Sequence, residues 1–324
     1  MLAKILFIPI ALFTLLGQTA IARPYCDRDR THRCHHWEEK FLHVTDIHVD
    51  TTYLEGSDPK QLCHRVSDLA SNNTTGVYGA LGTDCDSPIS LVESSFGFMR
   101  KHLQNIDFII YTGTSNLWKS LSCTHYRIEI PATDIVIDFT IVQAIQPVIG
   151  QMEQILIVAL TNNVRYSQDR DVVVLRTSTD VLSDHKMIVD YFHKNFDMKH
   201  IKFIPTLGNN DVYLHDQIAF GPQSLLTNLT KLWAPFNLDL GETFANSGYF
   251  TQDILPGKLQ VISMNTVYFY SKNLLVSDCD EAGSAGDVQL QWIWANLQKA
   301  RHSRYNVYLM QAKLYSTLPV TKHI

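Results

Sequence analysis

Short apolar runs and helically spaced apolar residues take turns along the chain from residue 41 onward. Phe41-Leu42-His43-Val44-Thr45 reads as a short strand ending in Asp46. A helix is signalled from Ser87. Ser87 is placed to cap it, Pro88 suits its first position, and Ile89, Val92, Phe96, Met99 and Leu103 keep helical spacing. Asp107 to Thr112 predicts the next buried strand. A second helix is expected from Asp180 to Phe196, with Leu182, Val189, Phe192 and Phe196 on one face. Ile201 to Thr206 reads as a strand running into Leu207-Gly208, followed by a short helix around Leu225, Leu229 and Leu232. Lys258 to Met264 predicts a strand, Leu290, Ile293, Trp294 and Leu297 mark a last helix, and Asn306 to Met310 a last strand. Such alternation argues for an α/β layered domain.

One stretch, 117–163, breaks the rhythm. From Ser120 to Asn163 it is apolar, β-branched and poor in turn signals, and residues 128–141 partly alternate as a hairpin strand would. It reads as an insertion or a segment foreign to the rest of the domain.

The first residues follow a different grammar. Lys4 precedes an apolar run, Ile5 to Leu16, and Ala20 and Ala22 make a small-x-small cleavage pattern. Residues 1–22 are therefore expected to be a signal peptide, or else an uncleaved signal anchor. Pro9 and the shortness of the run argue against a full membrane span. Residues 23–40 form a polar stalk containing His32, Cys34, His35 and His36. A solvated linker is the expected reading, with a metal-binding Cys/His tract as the alternative. The remaining 41–324 make one large domain.

With 45% hydrophobic and 18% charged residues, the 324-residue chain can bury a substantial core. The formal net charge of -5 offers no basic stripe for nucleic acid. It leaves an anionic substrate open, because bound divalent ions reverse the local field. Secretory entry exposes the six cysteines (Cys26, Cys34, Cys63, Cys85, Cys123 and Cys279) to an oxidising lumen. Six cysteines allow 15 pairings, among which Cys63 with Cys85 is the favoured local bridge. Sequons at Asn72, Asn73 and Asn228 fit the same compartment.

Two strand ends carry the chemistry. Asp46 and His48 lie two apart, so an extended backbone puts both on one face, where a carboxylate oxygen and an imidazole nitrogen grip one metal ion. The second end, Leu207-Gly208-Asn209-Asn210-Asp211, closes a strand with a tight turn and offers the neutral amide oxygen of Asn209. A Gly-Asn turn alone is ordinarily just a turn; its force comes from the pairing with Asp46-x-His48.

Together these resemble the calcineurin-like metallophosphoesterase superfamily, whose pattern is D-x-H, then G-D, then G-N, then two late histidine motifs. The resemblance narrows with FLHVTDIHVD at 41–50, CHR at 63–65, GVYGALGTDCDSPISLV at 76–92, IPTLGNNDVYLH at 204–215, GYF at 248–250 and LQVISMNTVYF at 259–269. These are similar to vacuolar endopolyphosphatases, relatives of acid sphingomyelinase, over about residues 41–113 and 164–310. Asn210, where sphingomyelinase-like enzymes carry His, favours the polyphosphatase branch.

The resemblance implies a four-layer αββα sandwich, truncated at its carboxyl end. It implies two divalent ions, with zinc, manganese, cobalt and magnesium all compatible with the donors. Asp46, His48 and Asn209 are its metal ligands. Asn210, His64, Arg65 and His215 are candidates for lining the cleft, although His215 and Asp216 read more simply as a solvated loop. The implied reaction is cleavage of internal phosphoanhydride bonds of inorganic polyphosphate, or of another phosphoester. The implied place is a vacuole lumen or vacuole membrane, with secretion as the alternative. Membrane association is expected only if the N-terminal segment stays as an anchor.

The sequence departs from the family at three places. Thr114 stands where a bridging carboxylate belongs, and a hydroxyl does not compensate two nearby cations. The family text resumes at Val164-Arg165-Tyr166-Ser167-Gln168-Asp169-Arg170, with Tyr166 where His is expected. Ala312 stands where a metal-binding His belongs, and the later Gly-x-His-x-His pair has no counterpart. Three readings follow: an endopolyphosphatase-like hydrolase or its sphingomyelinase-like sibling, a non-catalytic lumenal remnant or binding protein, and a sequence whose 117–163 block and tail are not family text.

Overall fold

The structure is a computed structural model that describes residues 40–112 and 177–311, together with the backbone of three short strands between them. The N-terminal segment, the stalk, most of 113–176 and residues 312–324, including Thr114, Tyr166 and Ala312, lie outside the described residues.

In chain order the elements are β1 Lys40–Thr45, β2 Val49–Asp50, β3 Ser87–Pro88, α1 Ile89–His102, β4 Phe108–Tyr111, β5 Ile128–Glu129, β6 Val136–Ile137 and β7 Gln154–Ala159. Then come α2 Ser178–Asn195, β8 Lys202–Pro205, α3 Ser224–Leu232, α4 Gly241–Ser247, β9 Phe250–Leu255, β10 Leu259–Ser263, α5 Ala285–His302 and β11 Asn306–Met310.

The main sheet has the order β7-β1-β4-β8, with every neighbouring pair parallel. The strand order explains why β1, β4 and β8 read as continuous apolar runs rather than alternating ones, since a parallel sheet is covered on both faces. Phe41, Leu42, Val44, Phe108, Ile109, Ile110, Phe203 and Ile204 are all buried. Strand β7, from within the 117–163 stretch, pairs along the whole of β1 from Lys40↔Gln154 to Thr45↔Ala159.

A second sheet, β11-β10-β9, joins a parallel pair to an antiparallel one. Neighbouring residues of β10 face opposite ways. Val261 enters the main core, while Ile262 enters a second cluster with Leu290 and Ile293 of α5. The two sheets are tied by buried bonds. Thr206 Oγ1 donates to the Met264 carbonyl at 2.7 Å, and Ser263 Oγ donates to the Pro205 carbonyl at 2.9 Å.

Helices α1 and α2 meet through aromatic rings. Phe96 stacks on Tyr191 at 5.2 Å and meets Phe192 edge-on at 5.0 Å, and Phe192 reaches Phe203 of β8 at 4.4 Å. A buried Phe of this kind contributes about 1.5–3 kcal/mol by leaving water. Helix α2 starts where the pattern predicts to within a turn. Thr177 accepts from the Asp180 amide and Asp180 answers the Thr177 amide, a reciprocal cap that fixes the boundary.

The start of α1 corrects the sequence reading. Ser87 does not cap the helix: its amide bonds to the His48 carbonyl, so Ser87-Pro88 is drawn into a two-residue strand beside Val49-Asp50. The helix then begins at Ile89 without a side-chain cap, and Ile89 lies exposed while Val92, Phe96 and Met99 are buried.

Between β2 and β3 the chain makes a long excursion through short turns, closed by a Cys63–Cys85 disulfide over a sequence separation of 22. Among the described residues no helix is long and apolar enough to cross a membrane.

Closing a loop of this length lowers the entropy of the unfolded chain by about 3 kcal/mol at 25 °C. Replacing both Cys63 and Cys85 by Ser is therefore expected to lower stability by about that amount. Urea unfolding followed by tryptophan fluorescence measures it, and an unchanged midpoint would show that the loop is held by its other contacts.

Candidate metal centre

Parallel pairing brings three strand ends to one edge of the main sheet. The ladder continues just past the strands: the Thr112 amide bonds to the Val44 carbonyl at 3.1 Å, and the Thr206 amide to the Tyr111 carbonyl at 2.8 Å. Asp46 therefore leaves β1, Thr112 leaves β4 and Leu207-Gly208 leaves β8 side by side. Strands sit about 4.8 Å apart, so the ends of β1 and β8 are about 10 Å apart with β4 between them.

At the first end the backbone turns sharply. Asp46 is left-handed, with φ 56°, a conformation Asp tolerates better than most residues. Thr45 Oγ1 donates to Asp46 Oδ2 at 2.6 Å. The other carboxylate oxygen, Oδ1, lies 3.7 Å from His48 Nε2. On the far side of the ring, His48 Nδ1 lies 3.2 Å from Asp86 Oδ1. Burial alone would pull the His48 imidazole down, but the two carboxylates outweigh it and hold its pKa up to about 9.

His43, three residues before Asp46, has the opposite fate. Its Nε2 meets Thr112 Oγ1 at 2.9 Å, and burial pushes its pKa down to about 4 against a weaker pull from Asp46. His43 is thus a neutral cross-strand pin between β1 and the residue after β4.

The second end is a built turn. Asp211 Oδ2 accepts from the Gly208 amide at 2.7 Å, and His185 Nε2 of α2 donates to the Asp211 carbonyl at 3.1 Å. Asn209 is 1% exposed, and its Nδ2 donates to Asp216 Oδ1 at 2.7 Å and to His215 Nε2 at 3.1 Å. That donor assignment fixes which end of the amide is the oxygen, the atom a cation needs.

One cavity reaches both ends, through His48 at the first and Asn210-Asp211 at the second, while Asp46 and Asn209 are not among its lining residues. Its lining includes His48, Asp86, Asp184, His185, Asn210 and Asp211, with Tyr111 and apolar side chains of α2. Of the candidate cleft residues, Asn210 lines this cavity. His215 packs on Asn209 instead, and with Asp216 at 4% exposed the 215–216 segment is a buried brace rather than a solvated loop. His64 turns its Nε2 to Asp50 Oδ2 at 2.8 Å, and Arg65 is exposed. Asn265 is fully buried and spends its side chain on the Ser247 carbonyl and the Val267 amide, so it is a turn residue.

Asn72 and Asn73 fold back on Ser67, and Asn228 is half-buried on α3. Asp86 and His185 were not singled out by sequence. The only available signal for Asp86 was its place in Cys85-Asp86-Ser87-Pro88, beside the favoured disulfide.

Among the described residues no group of three or more His, Cys, Asp or Glu side chains is gathered to hold a metal ion. The donor chemistry nevertheless fits one ion at the first end. Two donors on a tetrahedral ion with bonds of about 2.0–2.1 Å lie about 3.4 Å apart, close to the Asp46–His48 spacing. A metal-bound His usually donates its other ring N–H to a carboxylate; here Asp86 faces that nitrogen in an ion-pair contact at 3.2 Å.

The parallel strand ends, the shared polar cavity and the order of the motifs fit the metallophosphoesterase family. The chain is similar to endopolyphosphatases and to a sphingomyelinase-type protein. It is 28% identical to an endopolyphosphatase of Saccharomyces cerevisiae over 92% of its own length and 38% of the relative's. It is 27% identical to an endopolyphosphatase of Neurospora crassa over 94% of its length and 34% of the relative's. It is 29% identical to a Dictyostelium discoideum protein named sphingomyelinase phosphodiesterase C, over 84% and 48%. The chain thus spans between about a third and a half of the length of these relatives. No family model matches it.

The turn at the second end depends on Asp211. Asp211→Ala strands the buried Gly208 amide and is expected to cost about 1–3 kcal/mol. A thermal melt alongside the parent chain tests this. An Asp211→Ala melt no lower than that of the reference would show that the turn is held without it.

Proposed function

We propose that the chain is a metal-dependent hydrolase that cuts internal phosphoanhydride bonds of inorganic polyphosphate. The observation that carries this reading is the cavity shared by His48 and the Asn210-Asp211 turn, at the aligned carboxyl ends of parallel strands. Asp46 and His48 would hold a divalent ion, and Asn209 would offer a neutral oxygen toward a second. Zinc, manganese, cobalt and magnesium all suit such donors. An ion held there supplies Lewis acidity and offsets the charge of a polyanion.

The protein's own part is orientation. Asp86 aims the His48 ring, Asp216 and His215 set the Asn209 amide, and His185 with Asp211 keeps the turn closed. The two clusters on either side of β10 support a four-layer αββα arrangement. The disulfide, the sequons and the N-terminal pattern support a lumenal protein, vacuolar or secreted.

A second reading rests on Thr114 and Ala312, which replace a carboxylate and a histidine of the family pattern. Under it the chain keeps one cation and binds polyphosphate without cutting it. A sphingomyelinase-like phosphodiesterase is the sibling reading, supported by the Dictyostelium discoideum relative.

One experiment separates the three. The full chain is incubated with long-chain polyphosphate, and in parallel with sphingomyelin, in Mn²⁺, Zn²⁺, Co²⁺ or Mg²⁺. Internal shortening of polyphosphate on a gel is expected, abolished by chelator. Asp46→Asn and His48→Ala are each expected to reduce it by more than the 10–100-fold typical of outer-shell changes. Polyphosphate bound but intact, with cutting gained in Thr114→Asp, would establish the binding reading. Turnover of sphingomyelin alone would establish the phosphodiesterase.

A further inference from the structure

The Cys63–Cys85 bond gathers more than a loop. It holds two Cα atoms 5.8 Å apart, and each cysteine is followed by a polar residue, His64 and Asp86. Strand β2 pairs Asp50 with Pro88, two residues beyond Asp86. Asp50, His64 and Asp86 therefore share one corner beside His48.

Within that corner one half is fully tied. Asp50 Oδ1 accepts from the Thr52 amide at 2.8 Å and from Thr52 Oγ1 at 2.7 Å. Asp50 Oδ2 takes the Nε2 proton of His64 at 2.8 Å. The other half is not. His64 Nδ1 and Asp86 Oδ1 are buried without a hydrogen-bond partner among the described residues. The 3.2 Å approach of Asp86 Oδ1 to His48 Nδ1 is an ion-pair contact that lacks the geometry of a hydrogen bond.

Buried polar atoms are nearly always satisfied, and each one left alone costs about 1–3 kcal/mol. These two are complementary, a ring N–H and a carboxylate oxygen. The disulfide between the preceding residues, Cys63 and Cys85, brings them to one corner. The Asp50 hydrogen bond raises the His64 pKa, burial opposes it, and the charge of Asp86 adds to the rise while Arg65 works against it. A protonated ring has a donor to offer at Nδ1, and one water accepting from it and donating to Asp86 meets both needs.

We propose that Asp50 and His64 are positioning residues for the candidate metal centre. They act through a bound water that bridges His64 Nδ1 and Asp86 Oδ1 and holds Asp86 against His48. The chain of contacts runs Thr52, Asp50, His64, water, Asp86, His48. It leads from a surface hollow lined by Asp50, Tyr53 and Ile89 to the cavity lined by His48 and Asp86. The proposal rests on the metal reading only for its consequence on ion affinity.

The test uses the full chain with ¹⁵N-labelled histidine, without added metal and at one fixed pH. His64→Gln keeps an amide donor toward Asp50 but removes the ring nitrogen that faces the water. It is expected to shift the ring-nitrogen resonances of His48 while leaving those of His43 and His185 in place. Asp50→Asn is a second variant read the same way, and Lys231→Ala, exposed on α3, should change none of them. Titration with Mn²⁺ should then show an affinity about 10–100-fold lower in His64→Gln than in the parent chain. Unchanged His48 resonances in both variants would overturn the relay. A parent chain that binds no Mn²⁺ would overturn the metal reading, while the resonance shifts would still decide the relay.

Discussion

The site depends on parallel strands paired in register. Phe41 lies beside Phe108 and Phe108 beside Lys202, and the pairing holds to Val44, Tyr111 and Pro205. A parallel ladder sends every carboxyl end to the same edge, whereas an antiparallel neighbour would send it to the opposite one. Polar residues that are dozens of positions apart in sequence are thereby delivered to one rim. Their local turns, a left-handed Asp46 and an Asp211-closed loop, then decide which way each side chain points.

Histidines on and just after one strand show how strongly partners override burial. His43 and His48 are both buried, at 7% and 8% exposed. His43 meets a hydroxyl and is driven neutral, while His48 lies between two carboxylates and is held cationic. A place that stabilises a proton so strongly stabilises a metal cation by the same fields, and the two compete for the same nitrogen.

Local signals in the sequence were strong where one residue type has one job. The apolar runs gave β1, β4 and β8 to within two residues, and Asp180 and Phe192 foretold the face and extent of α2. Asp46 and His48 do approach each other, but through a left-handed turn at Asp46 rather than the extended backbone that their spacing suggested. Asp86 was not legible, because its role comes from a disulfide and from a strand pair only two residues long, neither of which leaves a periodic trace. Ser87 misled for the same reason: the strand pair with Val49 holds it, and the helix starts two residues later with Pro88 at its N-cap. Asp216 sounded like a loop residue, since nothing in its neighbourhood announces that Asn209 needs a buried carboxylate.

The two cross-sheet bonds, Thr206 to the Met264 carbonyl and Ser263 to the Pro205 carbonyl, sit at the carboxyl end of β8, next to the Leu207-Gly208 turn. Hinging the halves of the molecule apart would strip both hydroxyls and both carbonyls of their partners inside a dry interior. Access to the cavity is therefore left to the segments that follow the strand ends, while the seam between the two sheets stays closed. Changes in those segments can then alter what enters without loosening the seam.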